Sequence, residues 1–253
     1  MAEMPVWRVP AAATRETSRS SRLNVPPENP VFCALDTADR ARALELARKV
    51  RASVGGLKVG MEAFYALGRD GYEAIAAEGL PIFLDLKLHD IPNTVARAVR
   101  ALRPLKPAIL NVHASGGRAM MEAALEAAAG EIAIIAVTVL TSLDDADLAA
   151  QGIAGSAEEQ ALRLAGAARA AGLAGIVCSP REAGAVKREC GHDFLTVVPG
   201  IRPGGSAGDD QKRVLTPAAA RAGGADILVI GRPITAAADP TGAARDIAAS
   251  LAA

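Results

Sequence analysis

The chain has little cysteine, no excess of charge of either sign and no long apolar run, and each shortage removes a class of function. Its three cysteines, Cys33, Cys178 and Cys190, are odd in number and far apart in 253 residues, so they spell out neither a disulfide framework nor a zinc site. The first two sit in apolar runs, where a thiol serves as a small hydrophobe. This usage points to a reducing, cytoplasmic setting. Lys plus Arg and Asp plus Glu number 28 each, which leaves no global field to draw in nucleic acid or an anionic membrane. Any anion site must be local. The apolar runs are strand-sized, well short of the roughly 20 residues a membrane helix needs, so a soluble protein is expected.

What is present is enough for a large core: 51% of residues are hydrophobic and 22% charged. Residues 1–29 differ from the rest, being rich in Pro, Ser, Thr and Arg with little apolar periodicity, and are expected to form a mobile extension. Glu3, Glu16, Glu28 and several prolines argue against a transit peptide, and there is no continuous apolar core for a secretory signal. Residues 30–253 are expected to form one domain.

After Pro30, nearly continuous apolar runs alternate with segments of helical periodicity, the pattern of buried parallel strands joined by helices. Strands are predicted at residues 31–35, 56–59, 81–87, 108–113, 132–139, 175–178, 194–198 and 227–230. Helices are predicted at 39–50, 63–78, 94–102, 118–129, 157–171, 181–190, 217–222 and 240–251. Eight strand-then-helix units fit an α/β fold of the (β/α)8 TIM-barrel type. A doubly wound sheet would more often open on a Gly-rich turn, and neither G-x-G-x-x-G nor a P-loop follows the first predicted strand. Instead Asp36-Thr37-Ala38-Asp39 combines a charged strand end with a helix N-cap signal. Polar residues recur at the strand ends: Asp36, Lys58, Asp85 with Lys87, Asn111 with His113, Thr138 with Thr141, Ser179, Arg202 and Arg232. A barrel gathers all of these on its C-terminal face, where active sites sit.

The densest charge lies in Asp85-Leu86-Lys87-Leu88-His89-Asp90. Strand alternation puts Asp85 and Lys87 on one face and Leu84, Leu86 and Leu88 on the other. A solvated ion pair would be the ordinary outcome of Asp-x-Lys on an exposed strand. Here Ile82, Phe83 and Leu84 lead directly into the pair, which implies a strand covered on both faces, and charges at the end of such a strand are kept mainly for function. Lys58 interrupts the otherwise apolar, glycine-flanked run Gly56-Leu57-Lys58-Val59-Gly60 on the neighbouring strand, although a lysine there could also snorkel to solvent. With Asp85, Lys87 and Asp90 it makes an array of two cations and two anions. Such an array can hold each lysine protonated and set a carboxylate against a substrate carboxylate. His89 and His113 have no partner at metal-ligand spacing and are read as structural.

The phosphate end has its own signal. Residues 199–214, PGIRPGGSAGDDQKRV, are too polar and Gly-rich for core and form a long loop of the functional kind, here read as a lid. Gly231-Arg232 follows the last strand, where a glycine lets backbone approach an anion and a guanidinium can grip two oxygens. Solvated polarity is the plainer reading for Arg202 and Gln211.

Ala34-Leu35-Asp36, Lys58-Val59-Gly60, the run Phe83 to Thr94 (FLDLKLHDIPNT), Asn111-Val112-His113-Ala114, Leu140-Thr141-Ser142, Pro199-Gly200-Ile201-Arg202 and Gly231-Arg232-Pro233-Ile234-Thr235 resemble, in order, the bacterial orotidine 5'-monophosphate decarboxylase family. The resemblance spans about residues 31–250. It implies loss of the C6 carboxylate of orotidine 5'-monophosphate, giving uridine 5'-monophosphate and CO2 in pyrimidine biosynthesis, with no metal and no organic cofactor. By resemblance Lys87 supplies positive charge and then the C6 proton, Asp85 lies near the leaving carboxylate, and Lys58 and Asp90 fix both. Asp36 would hold the ribose hydroxyls, and Thr141 would meet the pyrimidine edge unless it is simply a helix cap. Arg202, Gln211, Gly231 and Arg232 would surround the phosphate. The family pattern implies a homodimer in which Asp90, Ile91 and Thr94 complete the neighbour's site.

Two rivals remain. Magnesium-dependent relatives, such as a 3-keto-gulonate 6-phosphate decarboxylase or a hexulose-phosphate synthase, share Asp-x-Lys-x-x-Asp but are expected to carry a glutamate near the position of Lys58. A non-catalytic nucleotide-binding barrel is the other.

Overall fold

The computed structural model describes residues 28–203 and 215–251. Eight parallel strands close in sequence order: β1 (Val31–Ala34), β2 (Gly56–Gly60), β3 (Ile82–Leu88), β4 (Ile109–His113), β5 (Ala133–Val137), β6 (Gly175–Val177), β7 (Leu195–Val198) and β8 (Ile227–Ile230). Cys33 pairs with both Leu57 of β2 and Ile230 of β8, which seals the barrel. This is the (β/α)8 TIM barrel that the alternation of apolar runs and helical segments predicts.

The helices are α1 (Arg40–Val50), α2 (Met61–Ala76), α3 (Pro92–Leu102), α4 (Arg118–Ala128), α5 (Asp145–Ala150), α6 (Ala157–Ala170), α7 (Ala183–Cys190), α8 (Pro217–Ala222), α9 (Arg232–Thr235) and α10 (Pro240–Ala249). Short 3-10 turns add Arg103–Leu105 and Ala114–Gly116. Neither α5 nor α9, of six and four residues, is among the predicted helices, although the equally short α8 is. The predicted strand at 132–139 stops at Val137, since both the amide and the hydroxyl of Thr138 turn to the Val177 carbonyl. No described helix is long and apolar enough to cross a membrane.

Strand alternation builds two cores. Phe32, Phe83, Ile109, Ile135, Val197 and Ile227 fill the inside of the barrel. Their neighbours in sequence, among them Cys33, Leu84, Leu110 and Leu228, face the helices in a larger outer core. Gly56 is glycine because the Phe32 ring occupies the space a Cβ would need. Burial pushes the Cys33 thiol up to about 12, helped by Asp36 and opposed by Lys58, so this cysteine behaves as the small hydrophobe its context suggests.

Two details aim the site. Asp39, not Asp36, caps α1, accepting from the amides of Ala41 and Arg42, which leaves Asp36 free to face the barrel mouth. Pro92 occupies the first turn of α3, where its missing N–H has no intrahelical partner to lose. The chain therefore turns sharply after β3 and leaves residues 89–94 exposed.

Candidate active site

A cavity of about 660 Å³ opens at the C-terminal ends of the strands. Asp36, Lys58, Asp85, Lys87, Thr141, Arg202, Gly231 and Arg232 all line it. Residues scattered over nearly 200 positions thus converge as the barrel requires. Gln211 lies outside the described residues, as does the part of the expected lid at 204–214. The two stems of that loop meet in a bridge between Ile201 and Leu215, with the Arg202 amide donating to the Leu215 carbonyl at 3.0 Å. Thr141 is not a helix cap, since Asp144 caps α5 through a capping box with Asp147.

The charges form a chain of alternating sign. Lys58 Nζ lies 2.7 Å from Asp36 Oδ1 and 3.5 Å from Asp85 Oδ2, while Lys87 Nζ lies 2.7 Å from Asp85 Oδ1. Lys58 and Asp85 are buried, whereas the side chains of Lys87 and Asp36 are 27% and 52% exposed. The two ends of the chain are therefore the ones open to a ligand. Burial pushes the Asp85 carboxyl up, but the charges of Lys58 and Lys87, with hydrogen bonds from Lys87 and Asn111, outweigh it and hold the group below its usual value. Asp85 is thus an anion held in a largely dry place by two cations.

Asp90 is not part of this chain. It is exposed, its carboxylate accepts from the Ile91 amide at 2.7 Å, and neither Asp90, Ile91 nor Thr94 lines the cavity. Of the expected array, one chain brings together Lys58, Asp85 and Lys87, joined by Asp36, while Asp90, which the family resemblance assigns to a neighbour's site, lies apart.

Lys87 stands on an irregular backbone. It has φ of 51°, a left-handed conformation that costs an L-residue about 1–2 kcal/mol. The register between β3 and β4 shifts between Leu84 and Leu88, yet the alternation survives: Leu84 and Leu86 enter the outer core while Asp85 and Lys87 face the cavity. Two residues to which the sequence assigned no role hold it in shape. Asn111, fully buried, donates to Asp85 Oδ1 at 2.7 Å and accepts from the Lys87 amide at 2.7 Å. Gly60 leaves room for the Lys58–Asp36 pair, since a Cβ there would come within 2.8 Å of Lys58 Nζ and 2.9 Å of Asp36 Oδ1. Its polarity inside the run Ile109-Leu110-Asn111-Val112 marked Asn111 as a strand-end residue of the rim but gave no sign of its partners.

His89 and His113 stack on each other with ring centroids 5.3 Å apart. Among the described residues no cluster of three or more His, Cys, Asp or Glu could hold a metal ion.

Fold and site together define a class: a TIM-barrel enzyme with a mouth that pairs alternating fixed charges with a basic corner after β7 and β8. The chain belongs to the orotidine 5'-phosphate decarboxylase / HUMPS family, whose model matches residues 29–247. It is 56% identical over 223 residues to the orotidine 5'-phosphate decarboxylase of Novosphingobium aromaticivorans, covering 88% of this chain and 99% of that protein. It is 55% identical over 233 residues to that of Rhodospirillum rubrum, covering 88% and 94%. The crystal structure of orotidine 5'-phosphate decarboxylase from Lactobacillus acidophilus is similar with a TM-score of 0.79 at 37% identity, covering 89% of this chain and all of that one.

Proposed function

We propose that the protein decarboxylates orotidine 5'-monophosphate to uridine 5'-monophosphate in pyrimidine biosynthesis, without metal or organic cofactor, using Lys87 as the proton donor to C6. The observation that carries this reading is the alternating Asp36–Lys58–Asp85–Lys87 chain at the barrel mouth. As the C6–carboxylate bond breaks, its electron pair stays on C6 in the ring plane, where the ring disperses it poorly. Stabilisation must come from charge that is already in place. Lys87, the more exposed of the two lysines, offers both that charge and a proton. The proton passes from Nζ to C6, CO2 leaves, and Lys87 regains a proton from solvent.

Asp85 keeps Lys87 oriented and confronts the substrate carboxylate with a fixed negative charge. Lys58 holds Asp85 from the other side. Because the Lys58 ammonium occupies the space between Asp36 and Asp85, a divalent cation would have to displace it to share those oxygens, which disfavours the magnesium-dependent relatives. Asp36, half exposed, accepts from ribose hydroxyls, and Thr141 meets the pyrimidine edge. Arg202 and Arg232, with Gly231 and Gln211, surround the phosphate after β7 and β8, the common phosphate position in barrels.

The protein acts as a cytoplasmic homodimer in which Asp90, Ile91 and Thr94 complete the partner's site. The support is geometric: all three lie exposed beside the mouth, Ile91 is 67% exposed, and none reaches its own cavity.

The test is direct. Purified protein given orotidine 5'-monophosphate with excess chelator should show the ultraviolet change of decarboxylation. Absence of turnover would sink the reading, and turnover lost only with chelator would move it to the magnesium relatives.

A further inference from the structure

Between the paired positions Leu84–Leu110 and Leu88–Val112, β3 carries Asp85, Leu86 and Lys87, while β4 carries Asn111 alone. Backbone pairing cannot serve three residues with one. The Asn111 side chain fills the deficit: its Oδ1 takes the Lys87 N–H and its Nδ2 donates to Asp85 Oδ1, both at 2.7 Å. The same carboxylate oxygen receives Lys87 Nζ at 2.7 Å. One planar amide, fully buried, therefore touches the Asp85 carboxylate and the Lys87 backbone at once.

We propose that Asn111 is a positioning residue for the decarboxylation, a template across the β3 bulge that fixes the Asp85 carboxylate relative to the Lys87 ammonium. This rests on the reading that Asp85 and Lys87 carry the reaction. An amide suits the task because it presents one acceptor and one donor in a fixed plane. A carboxylate of the same shape keeps the acceptor for the Lys87 N–H but loses the donor, and sets an anion against Asp85. Protonation of that carboxyl restores the donor.

Asn111→Asp therefore separates positioning from scaffolding by its pH profile. Two carboxyl groups at hydrogen-bond distance share a proton, which raises the apparent pKa of the pair. The other charged or titratable groups nearby are Lys87 on β3, Lys58 on β2, and His113 on β4 with His89 stacked on it, while β5 presents only Ile135 opposite Asn111. Wild type carries all of these and supplies their background.

The experiment measures kcat and KM for orotidine 5'-monophosphate from pH 5 to 9. For Asn111→Asp, kcat should lie about 10- to 100-fold below wild type at pH 8 and recover as pH falls, with KM within about threefold. Asn111→Ala should lose a similar factor in kcat at every pH, with no recovery. Wild-type kcat and an unchanged profile in Asn111→Asp, or wild-type kcat in Asn111→Ala, would overturn the proposal. A wild type with no turnover would overturn the underlying reading instead, so the two failures are distinct.

Discussion

Lys87 reaches Asp85 Oδ1 with its ammonium at 2.7 Å from a backbone held at φ 51°. The left-handed conformation is strained for lysine and relaxed for glycine. Lys87→Gly should therefore be more stable than Lys87→Ala by about 1 kcal/mol, although both lose the same ammonium. Urea denaturation of the two variants checks this, and equal midpoints would mean that the bulge stores no strain at Lys87.

Gly60 predicts the opposite balance of stability and function. A methyl group there meets only the flexible tips of Lys58 and Asp36, which can move aside at little cost to the fold. Their displacement misaligns the charge chain, and a shift near 1 Å can cost about 100-fold in rate. Gly60→Ala should keep its unfolding free energy within about 1 kcal/mol of wild type while kcat/KM falls about 10- to 100-fold. Steady-state kinetics beside a denaturation curve would show whether the two effects part in this way.

Two titrating groups give separate pH windows. Burial, then the charges of His89 and Lys87, hold His113 below its usual 6.5 against the pull of Asp85. The unfolded chain takes up this proton first as pH falls, so stability should be level above about pH 6.5 and decline below it. His113→Gln should flatten that decline. Asp85 is also depressed in the folded state, so its contribution is present above about pH 4 and lost only as pH falls through its lowered folded value. Unfolding midpoints from pH 3 to 8 for wild type and His113→Gln test both signs.

The barrel was legible because parallel strands buried on two faces leave continuous apolar runs, and polar residues at their ends mark one rim. Of the three helices shorter than two turns, only α8 was legible, and α5 and α9 were missed. Helix α5 was missed although Asp144 and Asp147 spell its capping box. The β3 bulge was invisible for another reason. Asp85 and Lys87 fit simple alternation, so nothing in β3 itself announces that Asn111 faces three residues. Asp90 is a case that spacing alone could not place: three residues from Lys87 in sequence, it stands outside the cavity, where Pro92 turns the chain into α3.

The exposed placement of Asp90 carries a prediction about assembly. If Asp90 serves the neighbouring site, Asp90→Ala and Lys87→Ala are each inactive alone but complementary. After subunit exchange of an equal mixture, half the dimers are mixed and each has one intact site, so about a quarter of wild-type activity should return. No recovery despite exchange shown by mass spectrometry would place Asp90 outside a shared site.

The central claim is that Lys87 supplies the charge and the proton for the chemical step. Release of labelled CO2 from carboxyl-labelled orotidine 5'-monophosphate by Lys87→Ala, beside wild type at saturating substrate, tests it most directly. The account predicts a loss of at least about 1,000-fold in kcat, since an electrostatic contact and a general acid vanish together. A Lys87→Ala protein that releases CO2 within tenfold of the wild-type rate would contradict it.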